Sequence, residues 1–214
     1  ELSPLTDRLW IDIWEGIVAA SPNPDGFMRC TPGPGMGGHG IPVDPFYLAW
    51  RAREFDMTTE FIELAGKINQ QMPYHCVSRI ERELNSIGKS VNGSVVGLLG
   101  VSYKANVGDV RDSPALKMIG LLRALGAKIV YHDPHVPELA GHSLSSSPLE
   151  NLLADADLVV LVTAHESVDH GVALDRAASL LDLRGVTRSL GDGQAARAPL
   201  SQDARSSVGS GLSE

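Results

Sequence analysis

From Ser94 onward the chain alternates short apolar runs with amphipathic stretches, and that rhythm admits few folds. Val95 to Leu99 is an apolar run bounded by glycines, the length of a strand buried on both faces. Ser113-Pro114 then opens an amphipathic helix from Ala115 to Leu125, because serine accepts from an unpaired first-turn amide and proline needs none. Lys128 to Tyr131 predicts a second strand running into Asp133-Pro134. Ser147-Pro148-Leu149-Glu150 has the spacing of a capping box for a helix through Leu153, and Leu158 to Thr163 is a further buried strand. Parallel strands need crossover connections that helices supply, so a small doubly wound parallel sheet is expected over residues 93–190. The stretch 191–214 is rich in Gly, Ser, Ala and Gln and poor in apolar residues, the composition of a disordered tail.

Residues 1–89 read as helical apart from one loop. Leu5 to Ala20 places Leu9, Ile13, Ile17 and Ala20 at helical spacing with Trp10 and Trp14 beside them, which predicts one helix. No capping signal precedes it and its apolar face is already in phase, as in a fragment whose helix starts upstream. Such a face, left exposed, favours self-association. Asp44-Pro45 reads as the N-cap and first residue of a helix carrying Phe46, Tyr47, Trp50 and Arg53. Another helix begins near Thr58 or Thr59, with Pro73 expected to kink or divide it and Gly88 to close it.

The exception is Pro32-Gly33-Pro34-Gly35-Met36-Gly37-Gly38-His39-Gly40-Ile41-Pro42-Val43-Asp44-Pro45. Four glycines fall between positions 33 and 38, and each costs chain entropy unless the backbone needs unusual dihedrals or close approach to a ligand. A second unusual segment lies between the first strand and its helix. In place of a tight glycine turn, the chain runs through Gly100 to Pro114, which carries Lys104 and Arg111 to the carboxyl edge of a parallel strand, where open α/β sheets bind ligands.

Composition narrows the classes. A net charge of -8 without a basic run argues against nucleic acid or an anionic membrane as partner, though a few arginines and backbone amides suffice for a small anion. No apolar stretch approaches a membrane span and no secretory leader is visible, so a cytoplasmic location is the default expectation. Cys30 and Cys76 form no CxxC pair and the seven histidines show no ligand spacing, so neither a disulfide framework nor a metal site is indicated.

The glycine loop resembles the PGPGxGGHCxPxDP signature of the UDP-glucose/GDP-mannose dehydrogenase family, with Gly40 where that signature has its catalytic cysteine. Tyr103, Lys104, Asp109, Arg111, Ser113 and Pro114 are similar to the family's (F/Y)KxxxxDxRxSP element, and Asp182-Leu183-Arg184 to its late DxR element. The stretch from Asp44 to Glu54 with Phe61 to Gly66 looks most like the branch acting on UDP-N-acetylglucosamine, with the mannosamine branch next. The resemblance implies a central helical dimerisation segment at 1–89 and a UDP-sugar-binding domain at 93–190.

It also implies chemistry. A sugar C6 alcohol is oxidised twice by NAD, through a thiohemiacetal and a thioester on the cysteine, which attacks as a thiolate and later departs. Glycine can do neither. By resemblance, Gly33, Pro34, Gly35, Met36 and Gly37 line the substrate together with Tyr103, Lys104 and Arg184. Asp44 is the acid/base or water-positioning carboxylate beside Gly40, and Arg111, Ile41 and Val43 lie toward the cofactor. The expectation is the C-terminal portion of an NAD-dependent UDP-sugar 6-dehydrogenase, inactive alone and homodimeric through its N-terminal helix, or else a non-catalytic UDP-sugar-binding module. Neither nucleic acid nor membrane is expected as a partner.

Overall fold

A computed structural model describes residues 2–22 and 28–190; the tail expected to be disordered lies outside them. The chain opens with α1 (Leu2–Arg8) and α2 (Ile13–Ala20), followed after the glycine loop by α3 (Asp44–Ala52) and the long α4 (Glu60–Ser86). The second part runs β1 (Val95–Leu99), α5 (Pro114–Ala124), β2 (Lys128–His132), a small antiparallel pair β3 (Glu138–Leu139) and β4 (Leu144–Ser145), α6 (Leu149–Asp155), β5 (Leu158–Leu161), α7 (His170–Arg176) and β6 (Leu180–Asp182). The main sheet has the order β2-β1-β5-β6, all parallel. It is the α/β architecture that the strand and helix rhythm required.

The register explains the burial. Val96 with its neighbours Ile129 and Leu158, and Leu98 with Tyr131 and Val160, all turn to one face, while Leu99, Val159 and Leu161 turn to the other, so central strands present apolar side chains to both faces. One face packs on α5 through Met118, Ile119 and Leu122 and on the second half of α4 through Cys76, Val77, Ile80 and Leu84. The other packs on α6 through Leu152 and Leu153 and on Ala173 of α7. The core therefore reaches back into α4, and the linker at 89–93 does not mark its edge.

That packing rules out one of the two outcomes expected at Pro73, since α4 runs on over 27 residues with Pro73 inside it and is not divided there. Proline removes the amide that would bond the Asn69 carbonyl, but Pro73 is buried and the four core residues beyond it fix the following turns against the sheet. At the C-terminus the Lys89 amide reaches the Leu84 carbonyl at 2.8 Å around Gly88 at φ +73°, a left-handed closure of the kind expected there.

Other boundaries differ too. The single helix expected from Leu5 to Ala20 is two, broken at Trp10, which adopts φ +58°; Asp12 then caps α2 by accepting from the Trp14 amide at 2.9 Å. Of the expected apolar face Ile17 is buried, whereas Leu9 is exposed, as is Trp10 beside it. Val43 rather than Asp44 is the N-cap of α3, and Asp44 is its first residue. The capping box at Ser147 does not form, since Pro148 is the N-cap of α6 and Glu150 instead pairs with Arg176. Ser113 does cap α5, accepting from the Ala115 amide at 3.3 Å. Among the described residues no helix is long and apolar enough to cross a membrane, and no group of three or more His, Cys, Asp or Glu side chains could hold a metal ion.

Candidate functional site

The glycine loop lies across the seam between α4 and the carboxyl edge of the sheet, and three hydrogen bonds hold it there. The Asn69 side chain on α4 accepts from the Met36 amide at 2.7 Å and donates to the Met36 carbonyl at 3.1 Å, gripping both ends of one residue. The Gly38 amide donates to the Arg111 carbonyl at 2.8 Å. Close approach is what the glycines permit. A Cβ on Gly37 would sit 2.5 Å from the Asp112 carbonyl oxygen and 2.8 Å from Tyr103 Cβ, and one on Gly38, at φ +97°, 3.0 Å from the Tyr103 ring.

Gly40 is different. Its φ lies outside the left-handed range, and a Cβ there would touch only Asp44 Oδ2, at 3.6 Å. The position has room for a side chain and places it beside a carboxylate. The Gly40 carbonyl accepts from the amides of Val43 and Asp44, each at 2.8 Å, forming the turn that delivers Asp44 to the start of α3.

Pro34, Gly35, Tyr103, Lys104 and Arg184 converge on one small cavity of about 120 Å³, together with Ser102, Ala105, Pro114 and, just past β5, Val162 and Thr163. It lies where β1 and β5 leave the sheet, the edge at which doubly wound sheets bind ligands. Arg184 is also drawn against Gly33, whose missing side chain leaves space for the guanidinium. Asp182 orients this segment. One carboxylate oxygen accepts from the amides of Arg184 and Gly185 at 2.7 and 2.8 Å, and the other from the Thr187 amide and hydroxyl, both at 2.8 Å.

The residues expected toward the cofactor are not gathered in the same way. The Arg111 side chain donates to Asp109 at 3.1, 3.0 and 2.5 Å, which holds the Asp109 carboxyl down at about 2, chiefly through those bonds, and raises Arg111. Ile41 is exposed and Val43 half-buried in the turn before α3. A guanidinium already paired and two apolar residues do not cradle a pyrophosphate, which needs convergent amides or free cations. These residues therefore do not fit a dinucleotide on their own. Met36 is exposed and, with Gly33, Gly35 and Arg184, also lines a larger cavity of about 700 Å³ shared with Ile13, Ile17, Cys30, Leu64 and Met72.

Three contributors escaped sequence reasoning. Asn69 looks like any polar residue on a helix surface, and only Pro73 four positions later, which frees its carbonyl, hints at special use. Asp133 and His165 are wholly buried beneath the Lys104 turn, with His165 Nε2 3.0 Å from Asp133 Oδ2. Burial opposes ionisation of Asp133, but bonds from His165 and from the amides of Val101 and His135 outweigh it and hold the carboxyl below its ordinary value. Asp133-Pro134 after a strand was the available signal, and it pointed only to a turn.

An open parallel sheet with basic side chains and a glycine-rich loop at its carboxyl edge defines a doubly wound α/β domain joined to a helical one. Two sequence profiles make this specific: the UDP-glucose/GDP-mannose dehydrogenase family central domain matches residues 1–71, and the UDP binding domain of the same family matches residues 97–189. The chain belongs to the UDP-glucose/GDP-mannose dehydrogenase family. It is 29% identical over 167 residues to the UDP-N-acetyl-D-mannosamine dehydrogenase of Methanococcus maripaludis, covering 78% of this chain and 37% of that protein. It is 32% identical over 193 residues to the NDP-N-acetyl-D-galactosaminuronic acid dehydrogenase of Ralstonia solanacearum, covering 87% of this chain and 43% of that one. Among solved structures, the UDP-D-ManNAc dehydrogenase from Pyrococcus horikoshii superposes with a TM-score of 0.72 at 27% identity, over 84% of this chain and 42% of that one. The chain thus spans about two fifths of the length of the relatives it matches.

Proposed function

We propose that these residues are the C-terminal portion of an NAD-dependent UDP-sugar 6-dehydrogenase, and that they hold the UDP-sugar without completing its oxidation. The single observation that carries this reading is the convergence of Pro34, Gly35, Tyr103, Lys104 and Arg184 on one cavity at the strand ends. Lys104 supplies a compact charge for a diphosphate and Arg184 a planar fork, aimed by Asp182, that matches phosphate oxygens two at a time.

The substrate on this reading is a UDP-N-acetylhexosamine, of the glucosamine or mannosamine series, converted to a uronic acid for bacterial surface polysaccharide. NAD would be held by another domain of the whole enzyme, and the whole enzyme is a cytoplasmic homodimer joined through its helical segment. Gly40 favours a second reading, a UDP-sugar-binding and dimerisation module without catalysis, because no thiol stands beside Asp44 to form the thioester.

Titration calorimetry tests the shared core of both. UDP, UDP-N-acetylglucosamine or UDP-N-acetylmannosamine should bind weakly, Lys104→Ala should weaken that binding, and NAD should give no heat. A folded chain that gives no heat with any of the three at millimolar concentration refutes the reading. NAD reduction by the whole protein with glycine at position 40 then separates the two, since the module predicts none.

A further inference from the structure

Behind Lys104 lies a buried polar couple that the proposed binding does not itself use. The Asp133 carboxylate at the end of β2 accepts from the Val101 and Ser102 amides on Oδ2, at 2.8 and 3.1 Å, and from the His135 amide on Oδ1 at 2.8 Å. His165, just past β5, is fully buried against it. Its Nε2 stands 3.0 Å from Asp133 Oδ2 and 3.3 Å from Ser102 Oγ, while its Nδ1 accepts from the Asn106 amide at 3.0 Å.

These partners assign the tautomer. A backbone amide can only donate, so Nδ1 carries a lone pair, and the proton of the neutral ring sits on Nε2, facing Asp133. The Ser102 hydroxyl is committed elsewhere, donating to the Lys104 carbonyl at 2.8 Å. Serine, histidine and aspartate thus meet, but serine and carboxylate share one ring nitrogen and the hydroxyl proton is spent. This is not a nucleophile with its base.

What the couple does hold is the turn that carries Lys104. The Lys104 carbonyl is fixed through Ser102, and the residue two positions on is fixed directly by His165. Asn106 adopts φ +62°, a left-handed conformation that costs energy without Cβ-free glycine, and its side-chain Oδ1 accepts from the Glu166 amide at 3.0 Å. The turn is therefore pinned on both sides of the lysine by the segment following β5. The His135 ring packs on His165 with centroids 4.8 Å apart, which closes the couple off on another side.

We propose that His165 is a positioning residue for nucleotide binding, its ring bracing the Ser102–Asn106 turn so that Lys104 and Tyr103 stay in the cavity shared with Arg184. The inference rests on the reading above that this cavity takes the UDP moiety. Two substitutions separate the bracing from mere core packing. His165→Asn keeps an acceptor near the Nδ1 position and loses the link to Asp133. His165→Gln reaches the Nε2 position, keeps the link to Asp133 and loses the bond from Asn106.

Both variants remove the ring, so both should melt earlier than the native chain. UDP affinity should fall about tenfold in His165→Gln, the worth of one buried hydrogen bond, and less than about threefold in His165→Asn. Hydrogen exchange at the Asn106 amide, followed by NMR without ligand, should accelerate in His165→Gln alone. Equal exchange in the two variants, or equal UDP affinity at measurable binding, overturns the brace, as does a larger loss in His165→Asn. A native chain that takes up no UDP overturns the nucleotide reading and the positioning role with it, whereas the exchange comparison judges the brace independently.

Discussion

Replacing Gly37 and Gly40 in turn by alanine should give opposite results, although both positions lie in one glycine-rich loop. At Gly37 the new methyl meets the Asp112 carbonyl oxygen at 2.5 Å and Tyr103 Cβ at 2.8 Å, neither of which can swing aside as a side-chain tip could. The loop must shift, and overpacking of this kind costs about 1–3 kcal/mol. A shift also strains the bond from the Gly38 amide to the Arg111 carbonyl, worth roughly 0.5–1.5 kcal/mol more. At Gly40 the methyl has an ordinary contact of 3.6 Å with Asp44 and no left-handed φ to accommodate. Reduced freedom of the unfolded chain then makes Gly40→Ala neutral or stabilising by about 0.4–1 kcal/mol. Urea denaturation followed by tryptophan fluorescence, with UDP titration of each variant, reads both effects. The loop can yield in either of two ways, by lowering the melt or by lifting off the sheet domain and losing UDP, so Gly37→Ala must fail in at least one. A Gly37→Ala chain equal to the native protein in both would refute the packing described for this loop.

The two thiols should differ sharply in reactivity. Burial pushes the Cys76 thiol up to about 12, while Cys30 is exposed, so a disulfide reagent at pH 8 should titrate one thiol per native chain and two after denaturation. Stability should fall as pH drops below the ordinary histidine range, because burial lowers His75 and His170 in the fold while the unfolded chain takes up protons at about 6.5; denaturant midpoints at pH 7 and pH 5 check this, and a higher midpoint at pH 5 would contradict it. Asp182→Ala should release four hydrogen bonds around Arg184 and weaken UDP binding by at least tenfold, whereas Asp182→Asn, which retains one acceptor oxygen, should lose less.

What the sequence made legible is what short-range chemistry controls. The runs Val95 to Leu99 and Leu158 to Thr163, of which Leu158–Leu161 forms β5, are apolar enough to demand burial on both faces, and Ser113-Pro114 caps its helix locally. The motifs also brought Pro34, Gly35, Tyr103, Lys104 and Arg184 forward as site residues, and the fold gathers them. Elements decided by distant contacts were not readable. The break at Trp10 places a bulky residue in a left-handed conformation, against its own preference, and α2 then docks through its Asp12 on Arg188 and its Trp14 ring on Gly185. β6 has three residues and α7 seven, too few to show a period. Asn69 acts on Met36 across 33 positions, and Asp133 on His165 across 32, so neither partner announces the other in the chain.

The central claim is that the cavity between Lys104 and Arg184 takes the UDP moiety against the glycine loop, and a crystal structure of this chain grown with UDP tests it most directly. The account predicts a diphosphate within hydrogen-bond reach of the Lys104 ammonium and the Arg184 guanidinium, with loop backbone from Gly33 to Gly37 alongside. UDP seated instead in the larger cavity beside Cys30 and Ile17, or making no contact with Lys104, would contradict it.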